Sequence, residues 1–282
     1  MLEALSAEAL KLRRHKATWF LVWLYPILFT AIFLIAIGVG MAGLDPPDAQ
    51  DLAQWLEDTA VIWGVPGNSV GRYLIAAFVA VVFAGEYGWN TWKLIVPHRR
   101  RTSLVAAKYA LVFILFAISF ILTAAILTGL AFADDLLTGD TVPAGLTAAA
   151  LWKEHGESAL SAIGPMLIAI GYASLAAILT RSTIAALVIA IVATTIEQVI
   201  SNFGPALSVY FPSLVWPLYH ALPGHHIANL MEFIREGKAL ARAFPGDRIV
   251  DLDWTTSLAV LVAWLAALYG ATFAAFSRQD IN

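Results

Sequence analysis

Glu86 heads the run Gly85-Glu86-Tyr87-Gly88-Trp89-Asn90-Thr91-Trp92-Lys93-Leu94-Ile95-Val96-Pro97-His98-Arg99-Arg100-Arg101, and Lys108 follows one or two helical turns later. These residue types do recognition chemistry. A carboxylate and a basic cluster offer charges to a partner protein or to anionic headgroups. Trp89 and Trp92, with the Leu94–Val96 run, make an amphipathic surface of the kind that settles at a membrane interface. Pro97 ends any helix begun there. A plain basic loop accounts for Arg99, Arg100 and Arg101, but not for the carboxylate, tryptophans and proline in that order.

A second group is Thr194, Glu197, Gln198 and Ser201, roughly on one face of an apolar helical stretch. An acid at membrane depth is costly and faces protein or a water-filled cavity. The group either lines a translocation path or forms an interhelical hydrogen-bond cluster near the outer surface. A third group, His220, His225, His226 and Glu232, lies in a loop and lacks a full metal-ligand set, so it reads as polar surface. Nothing matches a Walker loop, a His-Glu-x-x-His metal motif or a Gly-x-Ser-x-Gly elbow. No catalytic residue, metal site or cofactor is expected on this chain, and the absence of cysteine excludes disulfides and thiol chemistry.

The elements that must position these groups are membrane helices. Of 282 residues, 60% are hydrophobic and 13% charged, against roughly 25% charged in a soluble domain. The apolar runs are continuous, without the period-two alternation of barrel strands. They predict an all-α polytopic membrane protein with six spans at about 17–41, 70–85, 103–133, 158–180, 183–203 and 255–276. The second is short and the third long enough to tilt or project. Thr180-Arg181-Ser182-Thr183 makes a tight hairpin between the fourth and fifth. No cleavable leader is expected, because the first apolar run is too long for one.

Charge sets the expected orientation. With the N-terminus inside, the inner segments carry Lys11, Arg13, Arg14, Lys16, Lys93, Arg99–Arg101, Lys108, Arg181 and Arg278. The outer segments hold most of the acids, Asp45, Asp48, Asp51, Glu57, Asp58, Asp134, Asp135, Asp140, Asp251 and Asp253 among them. The positive-inside rule then puts both termini in the cytoplasm. Residues 2–16 read as an interfacial helix with Leu2, Leu5, Ala9 and Leu12 on one face. Residues 44–69 and 134–157 read as outer loops with short helical patterns around Leu52, Trp55 and Leu56 and around Leu151 and Trp152. The stretch 204–254, broken by Pro212, Pro217 and Pro223, reads as a re-entrant or interfacial helix pair on the outer side. Gly38, Gly40 and Gly43, with Ala80 and Ala84, permit close helix packing within one subunit or across a dimer seam.

The pattern Phe83, Glu86, Thr91, Leu94, Pro97, Arg101 and Lys108 resembles the signature after the second span of ABC-2 type transporter permeases. Trp89-Asn90 stands where a glycine often precedes the threonine, and three arginines run together. The size most resembles the small drug, bacteriocin-immunity and NosY-like permeases. The resemblance implies a single permease domain over 1–282, with an elbow helix at 2–16, a coupling segment at 86–101 and outer re-entrant helices in 204–254. It also implies ATPase-coupling roles for Glu86, Trp89, Thr91, Trp92, Pro97, Arg99, Arg100, Arg101 and Lys108.

On this reading the chain is the membrane subunit of an ATP-binding cassette transporter, an exporter of hydrophobic or amphipathic cargo in a bacterial or archaeal plasma membrane. It is no enzyme by itself. ATP and Mg belong to a separate ATPase partner, and a second permease copy completes the pore. No nucleic-acid partner is expected. A secondary transporter or channel is the alternative class and would call for inverted repeats and several charges along a path. A membrane-embedded lipid enzyme would need paired catalytic groups at the inner interface.

Overall fold

The computed structural model describes residues 2–44, 51–88, 92, 100–139 and 141–280. Six of its helical stretches are long and apolar enough to cross a membrane. The chain begins with α1 (Leu2–Arg13), α2 (Lys16–Leu21) and α3 (Leu24–Met41), followed by α4 (Leu52–Ala60) and a 3-10 turn (Val61–Gly67). Then come α5 (Ser69–Gly88), α6 (Arg101–Thr138), α7 (Ala148–Thr180) and α8 (Thr183–Leu207). The chain closes with α9 (Pro212–Ala221), α10 (Pro223–Glu236), a hairpin of β1 (Arg242–Phe244) and β2 (Arg248–Val250), and α11 (Trp254–Arg278). Spans one to six are α2 with α3, then α5, α6, α7, α8 and α11.

Span one is not one continuous helix. Pro26 has no N–H to give the Val22 carbonyl, and the helix is interrupted between Leu21 and Leu24. The freed Val22 carbonyl accepts the Ser119 hydroxyl of α6 at 2.7 Å, so the break is satisfied by a neighbouring span. Span two, expected at 70–85, runs Ser69–Gly88 and is of ordinary spanning length. Span three, at 38 residues, is about 57 Å long at 1.5 Å per residue. It outreaches a hydrocarbon core of about 30 Å.

The expected loop 134–157 is corrected most. Leu151 and Trp152 belong to α7, which starts at Ala148 with the Thr147 hydroxyl accepting from the Ala150 N–H. Lys153, Glu154 and Glu157 end an apolar run by composition, but a helix leaving lipid tolerates charge on the turns beyond it. The hairpin at 180–183 follows the expected line: Arg181 takes a left-handed φ of 55° and Ser182 caps α8.

Spans two and four are the most enclosed, while spans one, five and six turn mostly apolar faces outward. Spans one, two and three meet through aromatic edges, Tyr25 on Phe120 at 5.2 Å and Phe78 on Phe116 at 5.5 Å. Dispersion and shape, rather than water exclusion, hold such contacts in lipid. Spans four and six approach closely because position 171 is glycine; a Cβ there would lie 2.9 Å from Leu268. In the 204–254 region, α9 and α10 fold back onto α8, and α10 also lies along α7 and α11. One end of the bundle carries α1, the 180–183 hairpin and the last turn of α11, and we call it the basic end. The opposite end carries α4 and α10.

Candidate functional site

Two buried charge clusters lie at opposite ends of the bundle. At the basic end, Lys108 of α6 is 1% exposed. Its ammonium donates to Glu86 of α5 at 2.9 Å, to Glu8 of α1 at 3.1 Å and to the Val82 carbonyl at 3.1 Å. An ammonium has three N–H groups, and all three are used. Lys11 of α1 closes the group by pairing with Glu86, with Glu8 at 3.7 Å. Among the described residues two acids and two bases meet here, which is how charges persist where solvation is poor. Trp92 covers the cluster, its ring 5.2 Å from the Lys108 ammonium and 4.5 Å from Phe276.

This cluster fixes α1 in an arrangement that its leucine spacing does not give. The buried face is Ala4, Glu8 and Leu12, with Leu5 and Ala9 only partly covered. The carboxylate of Glu8 turns inward because Lys108 waits there. Of the expected coupling residues, Glu86, Trp92 and Lys108 come together. Arg100 is exposed at the head of α6. Arg101 departs from the expectation of a headgroup or partner contact. Its guanidinium donates to the carbonyls of Phe276, Ser277 and Gln279 at 3.1, 3.0 and 2.6 Å, capping the end of α11. Trp89, Thr91, Pro97 and Arg99 lie outside the described residues.

At the other end, Glu197 of α8 is gripped by Arg72 of α5 in a two-pronged ion pair, at 2.6 and 3.1 Å. Both side chains are buried. Tyr172 of α7 donates a third bond to Glu197 at 3.1 Å, so spans two, four and five meet on one carboxylate. Gly224 at the start of α10 presses against it, leaving no room for a side chain. Beside the pair is a cleft of about 310 Å³ lined by Asn68, Ser69, Arg72, Glu197, Gln198 and Ser201, with Met231 among the apolar wall residues. Gln198 accepts from the Ser69 hydroxyl. Thr194 is buried and does not border the cleft.

Glu197 thus sits in an interhelical cluster and also borders a cleft, with Arg72 as its counter-charge and Tyr172 as its third anchor, two partners the sequence reading did not name. A signal for Arg72 existed. One arginine just inside span two and one glutamate within span five, each expensive alone, are opposite in sign.

His226 is held by the Ser257 hydroxyl and the His220 carbonyl at 3.1 and 2.9 Å. His225 and His226 are buried, which corrects their reading as polar surface; the His225 ring lies 4.5 Å from that of Tyr219 at a 31° tilt, and neither of its ring nitrogens has a hydrogen-bond partner among the described residues. Burial first, then the charges of His226, His220 and Arg242, push its pKa down to about 4. Among the described residues no group of three acids, histidines or cysteines could hold a metal.

A family model described as ABC-2 family transporter protein matches residues 4–197. The matched range includes every ionic side chain of both clusters, from Glu8 to Glu197. Comparison with curated proteins gives no match, and comparison with solved structures gives none.

Proposed function

The chain belongs to the ABC-2 transporter family, and from that premise we propose that it is the permease subunit of an ATP-driven exporter of hydrophobic or amphipathic cargo. Two copies form the pore in a bacterial or archaeal plasma membrane. Separate ATPase subunits carrying ATP and Mg dock on the segment 86–101. The basic end is the cytoplasmic one, in keeping with the positive-inside rule.

The observation that carries this reading is the Glu8–Lys11–Glu86–Lys108 cluster. It ties the root of the 86–101 segment to α1, span two and span three at once. A push on that segment is therefore delivered to three elements together. Rigid coupling of this kind is what converts ATPase closure into a shift between two arrangements of the spans. Glu86, Trp92 and Lys108 anchor the segment. Trp89, Thr91, Pro97, Arg99 and Arg100 supply its contact surface, and Arg101 holds it against the end of span six. At the far end, Glu197, Gln198 and Ser201 border the cargo route with Thr194 behind them. The opening and closing of that route engages the Arg72 pair.

The test looks for a neighbouring reading frame that encodes a Walker-motif ATPase and expresses that ATPase with the tagged full chain. Arg100→Glu is the variant of choice, because Arg101 has a structural role in capping α11. Loss of ATPase recovery and of stimulated hydrolysis, with an unchanged melting temperature, supports docking on this segment. Equal recovery by both proteins overturns it.

A further inference from the structure

A cleft of about 430 Å³ opens at the basic end between α1, α5 and the head of α8. Its cationic side chains are Lys11 and Arg181, and His15 borders it as well. No carboxylate lines it among the described residues. Among the described residues the neighbouring cluster holds two acids and two bases, and Arg181, whose guanidinium lies 6.0 Å from the centre of the Tyr87 ring, adds a further positive charge. Lys11 is one-third exposed and borders the cleft while its ammonium pairs with Glu86. Ser182 and Thr183 add the first turn of a 25-residue helix, whose leading N–H groups have no carbonyl within the helix.

The remaining wall is apolar: Leu12, Val81, Val82 and Ala84. Gly85 and Gly88 lie on the floor, and a Cβ at either would meet nothing within 4 Å among the described residues. No described side chain fills the space beside them. Trp19 and Phe20, on the short helix after His15, are 58% and 71% exposed, as side chains at a membrane interface are. A site with cations at one edge, apolar walls and interfacial depth suits an anion that carries a hydrocarbon tail.

We propose that this cleft binds the phosphate headgroup of an anionic phospholipid, with Arg181 and Lys11 on the phosphate and the α5 wall along the first part of an acyl chain. Because Lys11 serves both the headgroup and Glu86, an occupied cleft also braces the cluster that anchors the 86–101 segment. The binding claim needs only the membrane fold and stands whether or not an ATPase docks.

The test is native mass spectrometry and thermal melting of the full chain in neutral detergent. The probes are phosphatidylglycerol, phosphatidylcholine with matched chains, and inorganic phosphate. Two variants act differently. Arg181→Asn removes the cation and keeps a residue that tolerates the left-handed backbone. Gly85→Leu fills the floor without altering charge. Wild type should retain phosphatidylglycerol over phosphatidylcholine by about five-fold or more, the factor for one basic contact of about 1 kcal/mol. Both variants should lose that preference while melting within a few degrees of wild type without lipid. Equal retention of the two lipids by wild type overturns the proposal, as does an undiminished preference in folded variants. Inorganic phosphate giving the same melting shift as phosphatidylglycerol would assign the cleft to free phosphate and overturn the lipid claim.

Discussion

Arg72 meets Glu197 through two parallel nitrogen–oxygen contacts, 2.6 and 3.1 Å long, deep between spans two and five. A fork of this kind is the geometry in which guanidinium and carboxylate interact most strongly. It also carries a liability, because each charge depends on the other to remain buried.

The first expectation follows from that dependence. Arg72→Met and Glu197→Leu should each lower stability by about 3–5 kcal/mol, since either leaves an uncompensated buried charge. The double replacement Arg72→Met with Glu197→Leu should recover most of the loss. Melting of the four proteins in detergent checks this through the coupling of a double-mutant cycle. Additive losses would mean that the two residues do not act as a pair.

The Lys108 site makes a different demand. Its ammonium sends three bonds in three directions, to Glu8, Glu86 and Val82. A planar guanidinium is not built for convergent acceptors around one point. Lys108→Arg should therefore fail to restore what Lys108→Met loses, with both melting lower and both detaching α1. Limited proteolysis near Arg13 and Arg14 reads that detachment. A stable, protease-resistant Lys108→Arg protein would show that charge alone suffices.

Much of this architecture is legible from composition, because lipid forces long apolar helices and the chain has little else. The six spans, the 180–183 hairpin and the helix starts at Pro212 and Pro223 follow from local pattern, whereas Pro217, read as a break, lies inside α9. What sequence pattern does not deliver is pairing across helices. Glu8 looks like the polar side of an amphipathic helix until Lys108 is placed next to it. Arg72 looks like a boundary charge until Glu197 is found opposite. Leu151 and Trp152 look like a loop helix because the charges of Lys153, Glu154 and Glu157 interrupt the hydropathy but not the hydrogen bonding. Arg101 looks like a free cation beside Arg100 because the α11 carbonyls it caps are 175 residues or more away in sequence.

Glycines separate close packing from empty space. At Gly224 a Cβ would lie 2.7 Å from the Glu197 carbonyl oxygen, and at Gly71 it would overlap the Val65 carbonyl. Gly224→Ala and Gly71→Ala should each cost about 1–3 kcal/mol through overpacking. Gly129, in the middle of α6, has nothing within 4 Å of such an atom. Gly129→Ala should instead raise stability by about 0.5–1 kcal/mol through helix propensity. Parallel melts decide the matter, and equal effects at all three positions would contradict the packing around Glu197.

His225 supplies the pH-dependent expectation. Its pKa is pushed down to about 4, by burial first and then by the charges of His226, His220 and Arg242, from an unfolded value near 6.5. Above about pH 6.5 the ring is neutral in both states, so its pKa difference takes nothing from stability. Between about 6.5 and 4 the unfolded chain binds a proton that the folded protein refuses. Stability therefore falls as pH falls through that window, by up to about 3 kcal/mol. Neither ring nitrogen has a hydrogen-bond partner among the described residues, so His225→Phe keeps the ring contact with Tyr219 and removes the titration. The variant should melt near wild type at pH 7.5 and above it at pH 5. If the two melting curves instead shift in parallel between those pH values, acid sensitivity arises elsewhere in the fold and His225 is protonated without resistance.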